Sequence, residues 1–312
     1  MNKEQFASYT SLFRWPNLLL IAFFFIIGNH LILGSIREIT ESAPSLSNID
    51  FTLFVVDVLI VALAGYWIND YFDLEIDRIN QPKRALPSGL VKPSFLIGAI
   101  LSLVVLGLLV TFYLGFENNK IGWVWLYPLT LLALFFYAKY GKQWGIYGNI
   151  LVSLFIASLP WLLLLSEWQA WSILKENHID KYEIYNTIFW AYFILMFTSN
   201  ICREIAKDAE DMPGDKTANA RTFALKKGLK SVKVSLFFGF ILVAIVQWGL
   251  YYFFSPSMQL LGFSIFISFI LINLFTTTLT AEHSNDFKTV SKRLKTLMFV
   301  GLIQLALLPG WV

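Results

Sequence analysis

The chain has 312 residues, of which 57% are hydrophobic and 14% charged, with a formal charge of +3. Soluble domains carry about 25% charged residues, so the composition favours a membrane protein over a soluble globular one. The small net charge leaves no footprint for nucleic acid, and the single cysteine, Cys202, excludes a disulfide framework within the chain.

In chain order, apolar stretches long enough to span a bilayer are predicted at 15–34, 51–70, 95–115, 121–138, 146–166, 185–203, 232–253, 257–280 and 295–311. The first includes Leu18 to Ile27 with no small-residue cleavage signature after it, and reads as a retained helix rather than a signal peptide. Pro93 and Pro256 fall near helix starts, whereas Pro16, Pro128 and Pro160 lie in or near spans as candidate kinks. Trp15, Trp123, Trp125, Trp168, Trp171 and Trp311 sit at predicted span ends, as an interfacial belt requires. Residues 167–184 read as a loop or an interfacial helix. With nine spans, 20 of the 24 Lys and Arg residues fall on the side of the amino terminus. The positive-inside rule makes that side cytoplasmic. Eight spans remain the alternative if 257–280 and its neighbours are miscounted. The fold expected is an all-α polytopic membrane protein with about nine transmembrane helices. It forms a single domain over 1–312, with two related halves at about 1–145 and 146–312.

Two acidic stretches stand out, both on the predicted cytoplasmic side. The first, Asn69-Asp70-Tyr71-Phe72-Asp73-Leu74-Glu75-Ile76-Asp77, closes the second span. The i, i+3, i+7 spacing predicts Asp70, Asp73 and Asp77 on one helix face. The second, after span six, repeats the spacing in Asp208, Asp211 and Asp215. Here Pro213-Gly214 predicts that Asp215 comes from a loop. Stacked anions beside lipid require a cation, and Mg2+ takes carboxylate oxygens together with waters and phosphates. Two such clusters on one side suit metal ions bridged by a diphosphate, with Arg203, Lys207, Lys216, Arg221, Arg84 and Lys83 close by to hold the remaining phosphate charge. A single cluster would equally suit a solvated face with local ion pairs. Asn69 reads as a metal ligand or a helix-end hydrogen bonder. Glu75 points off the acidic face and is expected to pair with a base. Asp57 is an acid within the second span, off the Asp70 face, and its role is left open. Cys202 reads as packing, and His30, His178 and His283 are scattered.

Asn69-Asp70-x-x-Asp73-x-x-x-Asp77 resembles the first motif of the UbiA-type intramembrane prenyltransferases, and Asp208-x-x-Asp211-x-x-x-Asp215 resembles their second. Residues 69–89 and 203–224 are most similar to the archaeal-type branch, which includes enzymes that attach a second geranylgeranyl chain to a glycerol phosphate ether lipid. Arg14-Trp15-Pro16-Asn17, Tyr137-Ala138-Lys139 and Gly148-Asn149 also sit where such proteins carry similar residues. Two departures stand out: Arg84-Ala85-Leu86-Pro87 replaces an Arg-Pro run, and Ala218-Asn219-Ala220-Arg221-Thr222 has one arginine fewer than usual.

The resemblance implies Mg2+ held by Asn69, Asp70, Asp73, Asp77, Asp208, Asp211 and Asp215, with Asp73, Asp77, Asp211, Asp215 and Tyr137 as catalytic residues. Phosphate contacts would come from Arg84, Lys139, Lys142, Arg203, Lys207, Lys216 and Arg221. The implied partners are an isoprenyl diphosphate donor, a lipid acceptor and the bilayer of the cell (inner) membrane, with the site facing the cytoplasm. An aromatic acceptor such as a quinone or homogentisate precursor is the alternative. A divalent-cation transporter is a more distant one. It would carry acids through the bilayer midplane, whereas both clusters lie at one edge.

Overall fold

A computed structural model of the chain describes residues 3–253 and 258–306, and among them the regular structure is entirely helical. Pro256, Trp311 and the outer ends of the predicted spans 257–280 and 295–311 lie outside the described residues. The chain opens with α1 (Lys3–Leu12) and α2 (Trp15–Ile27), which continues through a π-helical stretch (Gly28–Leu33) into α3 (Gly34–Thr40). Next come α4 (Asn48–Phe72), α5 (Leu74–Asn80), α6 (Pro93–Glu117), a 3-10 turn (Ile121–Trp125) and α7 (Leu126–Trp144). The remainder comprises α8 (Ile146–Ala157), α9 (Leu159–Ser166), α10 (Trp168–Asn177), α11 (Ile179–Glu210), α12 (Met212–Thr217), α13 (Phe223–Phe253), α14 (Met258–Thr280) and α15 (Phe287–Leu305).

Among the described residues, seven segments are long and apolar enough to cross a membrane: Trp15–Thr40, Asn48–Phe72, Pro93–Glu117, Ile121–Trp144, Ile146–Ser166, Phe223–Phe253 and Met258–Thr280. They coincide with seven of the nine predicted spans. The other two, 185–203 and 295–311, fall in α11 and α15, which are helical but more polar. α11 buries Thr198, Ser199 and Asn200 in its middle, and α15 carries Lys288, Lys292, Arg293 and Lys295 in its first half. Pro16 and Pro128 fall in the first turns of α2 and α7, where the missing N–H is not needed. Pro160 does mark a break, following the interruption at Ser158 between α8 and α9. The stretch 167–184 is helical: α10 is followed directly by the start of α11. Of the expected belt, Trp15, Trp125 and Trp168 are exposed, but Trp171 is buried between Tyr182 and Phe189.

The chain divides into two compact units. Unit 1 comprises Met1–Phe23, Leu46–Trp144 and Pro213–Arg221; unit 2 comprises Phe24–Ser45, Gly145–Met212 and Thr222–Val312. In unit 1, α4 packs on α6 and α7, with Ile60 and Ala64 of α4 and Tyr127 and Leu131 of α7 buried against Leu103, Val104 and Leu108 of α6. Ser47 caps the start of α4 by accepting the Asp50 N–H at 3.1 Å. A second cluster, Leu12, Trp67, Ala85, Leu86, Val91 and Leu96, gathers α1, the end of α4 and the connection after α5. Two hydrogen bonds pin this cluster: Trp67 Nε1 donates to the Leu12 carbonyl at 3.1 Å and Ser8 Oγ to the Lys83 carbonyl at 2.7 Å.

In unit 2, α11 packs against α8, α13 and α15. Its 32 residues extend about 48 Å at 1.5 Å per residue. Lipid tails are as apolar as leucine, so helices in a membrane associate through close packing rather than water exclusion. α11 accordingly presents a buried stripe of Cys202, Ala206 and Ala209 to Val232, Leu236 and Phe240 of α13. A Cβ on Gly239 would lie 2.1 Å from the Cys202 Sγ, so Cys202 is a packing residue, as expected. Gly239→Val should therefore lower stability by about 1–3 kcal/mol, read as a lower thermal unfolding midpoint in detergent. Cys202→Ala should restore part of that loss; a Gly239→Val protein unfolding at the wild-type temperature would contradict this contact.

Candidate active site

The first acidic motif straddles a helix break. α4 ends at Phe72, α5 starts at Leu74, and Asp73 between them has φ −86°, ψ 2°, the bridge conformation common in turns and active sites. The three acids therefore do not lie on one continuous helix, contrary to what their spacing predicts. Helix-like backbone bonds nevertheless cross the break, from the Asp73 N–H to Asn69 O at 2.9 Å and from the Asp77 N–H to Asp73 O at 2.8 Å, which keeps the three acids together. All three are buried. The Asp73 side chain does not cap α5; it accepts from Asn69 Nδ2 at 2.7 Å. Glu75 points away and pairs with Arg78 at 2.8 Å.

The second motif repeats this backbone. Asp211, between α11 and α12, has φ −87°, ψ 0°, and its N–H donates to the Lys207 carbonyl at 2.9 Å. Asp215 is not on a loop, as Pro213-Gly214 had suggested. It lies in the six-residue α12, because proline is tolerated in a first turn and Gly214 serves another purpose. The Gly214 N–H donates to Asn80 Oδ1 at 2.9 Å, and a Cβ at 214 would lie 2.6 Å from Asn80 Nδ2.

Unit 1 therefore holds Asp70, Asp73 and Asp77 together with Asp215, which is 0% exposed. Lys142, Arg84 and Arg14 face them. Lys142 Nζ lies 3.1 Å from both Asp73 and Asp215, joining an acid from each motif. Arg84 lies 2.8 Å from Asp77 and 3.8 Å from Asp70. Arg14 pairs with Asp70, and its guanidinium sits 4.8 Å from the centre of the Tyr66 ring. Burial is the strongest influence on the Arg14 pKa and lowers it, but the charge and hydrogen bond of Asp70, with Tyr66 and Asp77, raise it above the usual arginine value. Arg14 has φ 49°, a left-handed backbone costly for a residue with a Cβ.

Unit 2 holds the other predicted residues of the second motif. Asp208 accepts from Asn149 Nδ2 at 2.9 Å, and Asn200 Nδ2 donates to Ser153 Oγ at 3.1 Å, two turns up α11. Asp211 is buried, Lys207 is half-buried, and Arg203 pairs with its neighbour Glu204. The remaining predicted residues belong to unit 1. Lys139 is exposed, with its Nζ over the Tyr140 and Phe135 rings. Tyr137 is half-buried against Gly141. Lys216 and Arg221 are exposed, the latter donating its backbone N–H to the Lys142 carbonyl at 2.9 Å.

Three side chains lacked a predicted role. Arg14 carries only its Arg-Trp-Pro-Asn run as a sequence signal, Asn149 only Gly148-Asn149, and Asn80 none. Asp57, left open, accepts from Thr111 Oγ1 at 2.7 Å. The candidate metal donors, Asn69 and the six motif aspartates, are all hard oxygens, the type that Mg2+ prefers over softer metals. Among the described residues no three His, Cys, Asp or Glu side chains form a metal cage by themselves.

Comparison with known proteins completes the assignment. The UbiA prenyltransferase family profile matches residues 39–303. The digeranylgeranylglyceryl phosphate synthase of Methanosarcina mazei is 31% identical over 308 residues, 95% of this chain and 96% of its own length. A solved structure of digeranylgeranylglyceryl phosphate synthase in membranes is 26% identical and superposes with a TM-score of 0.60, covering 97% of this chain and 98% of that one. A UbiA homologue from Archaeoglobus fulgidus, solved bound to DMAPP and Mg2+, shares the fold at 16% identity, with a TM-score of 0.53 over 95% of this chain and 99% of that one. With both motifs, the helical membrane fold and a family match over most of its length, the chain belongs to the UbiA prenyltransferase family and is a prenyltransferase.

Proposed function

We propose that this prenyltransferase transfers an isoprenyl group from an isoprenyl diphosphate to a glycerol phosphate ether lipid, with Mg2+ as its metal. The observation that carries the reading is Lys142, held between Asp73 of the first motif and Asp215 of the second. Carboxylates from both motifs and bases that can hold phosphate are the components of a diphosphate site. The acceptor is supported by the relatives named digeranylgeranylglyceryl phosphate synthase. The donor and metal are supported by the homologue bound to DMAPP and Mg2+.

In this reading the magnesium ligands would be Asn69, Asp70, Asp73, Asp77 and Asp215 in unit 1 and Asp208 and Asp211 in unit 2, with water and phosphate oxygens completing each ion's shell. Bound magnesium would neutralise the diphosphate as it leaves. Arg84 and Lys142 hold phosphate oxygens, with Lys139, Arg203, Lys207, Lys216 and Arg221 as further contacts. Asn69 orients Asp73 and Asn149 orients Asp208, each by donating to one carboxylate oxygen. Aromatic walls that include Tyr137 exclude water and face the allylic cation. We further propose one domain of two related halves in the cell membrane, with α11 and α15 as the sixth and ninth spans and the site facing the cytoplasm. The bias of Lys and Arg supports that orientation.

Asp73→Ala and Asp211→Ala should each lower the rate of diphosphate release by about a hundredfold or more, while the extracted protein stays monodisperse. Near-normal turnover would remove that residue from the site. Mass spectrometry of products made from geranylgeranyl diphosphate, offered lipid and aromatic acceptors together, should find the prenylated ether lipid; a prenylated ring alone would refute the acceptor. Lys142→Met should unpair Asp73 and Asp215, raising the KM for the donor about tenfold and lowering stability by about 2 kcal/mol, below the usual cost of breaking a buried pair because the lysine is partly solvated. Unchanged donor KM with lowered stability would leave Lys142 only a structural role.

A further inference from the structure

Nothing in the sequence marks Asn80, yet its side chain ties the two acidic motifs together within unit 1. It ends α5, and its Oδ1 accepts the Gly214 N–H at 2.9 Å across 134 positions of chain. The approach leaves no room for a side chain at 214: a Cβ there would lie 2.6 Å from Asn80 Nδ2 and 2.8 Å from its Cγ and Oδ1. One residue on, Asp215 is 0% exposed and 3.1 Å from the Lys142 Nζ that also meets Asp73. α12 has six residues, too few to hold a helix or an orientation unaided. Its placement must come from outside. The Asn80 bond sets how far α12 sits along α5, and the Lys142 pair sets which way Asp215 faces.

We propose that Asn80 and Gly214 form a latch that sets Asp215 against Lys142 and Asp73, making Asn80 a positioning residue for prenyl transfer. Asn80 acts through the placement of Asp215. The latch deepens the proposed metal-binding role of Asp215 and rests on it. A carboxylate displaced by about 1 Å is enough to cost on the order of a hundredfold in rate.

The test uses the full chain in detergent, with Asn80→Ala, Gly214→Ala, the double variant and Asp215→Asn. In Asn80→Ala, amide hydrogen exchange at Gly214 should accelerate about tenfold while the α13 and α14 amides stay unchanged. Mn2+ binding, followed by electron paramagnetic resonance, should weaken about tenfold. Gly214→Ala should slow turnover about thirtyfold beside Asn80, but by no more than about threefold in the Asn80→Ala background, where the clashing side chain is gone. Unchanged exchange at Gly214 in Asn80→Ala, or an equal cost of Gly214→Ala in both backgrounds, would overturn the latch. Faster exchange with unchanged Mn2+ affinity would overturn the positioning role. Normal turnover and Mn2+ binding in Asp215→Asn would refute the metal reading instead, while Gly214 exchange still reports on the latch. If Asn80→Ala does not survive extraction, Asn80→Ser is read in the same way.

Discussion

An ionised carboxylate withdrawn from water costs several kcal/mol even after the protein relaxes, and unit 1 withdraws Asp70, Asp73, Asp77 and Asp215 together. Removing such charges one at a time is unfavourable, so their partners have to be brought in by the fold. Arg14 arrives from the junction of α1 and α2, Arg84 from the connection after α5, and Lys142 from the last turn of α7. Much of the local packing serves that delivery. Trp67 and Ser8 fasten α1 and the connection carrying Lys83 and Arg84 against the end of α4, and the buried cluster from Leu12 to Leu96 keeps them there. Arg14 accepts a left-handed backbone where its guanidinium meets Asp70 and the Tyr66 ring. Strained backbone at functional sites persists only where the surroundings enforce it.

The acids occupy helix ends rather than a continuous helix. Asp73 and Asp211 share a backbone conformation within two degrees in each torsion, and each is the middle acid of its motif. A continuous helix would fix all three carboxylates on one straight rail. A break at the middle residue lets the third acid turn onto a new short helix, α5 or α12, while the first stays on the long one. On the second motif the new helix is bound by contacts distant in sequence. Asn80 takes the Gly214 N–H and Lys142 takes Asp215.

α11 shows why a long helix of a membrane protein need not be uniformly apolar. Its buried face carries Thr198, Ser199 and Asn200 alongside Cys202, Ala206 and Ala209. Of the polar side chains on that face, Asn200 is satisfied by Ser153, and the small ones admit close backbone approach. Helices with a large lipid-facing side, such as α6, carry the high mean hydropathy instead. Exposed Leu101, Val105, Leu109 and Phe116 line that side.

Composition and apolar run length were enough to determine a helical membrane protein and seven of its spans, because lipid demands long runs of apolar residues regardless of context. The spacing of Asp70, Asp73 and Asp77, repeated at Asp208, Asp211 and Asp215, was enough to mark both motifs and the family. So was the direction of Glu75, whose salt bridge with Arg78 is local in sequence. Only the tertiary structure decided the rest. It assigned Lys142 rather than Lys139 to the carboxylates, brought Arg14 to Asp70 and Asn149 to Asp208, and set Gly214 against Asn80. Each of these is a long-range pairing, and pairings over that distance depend on how helices pack, which local residue pattern does not encode. Pro213-Gly214 misled for the same reason. Read locally it is a helix breaker, but in the folded chain the proline opens α12 and the glycine makes room for Asn80.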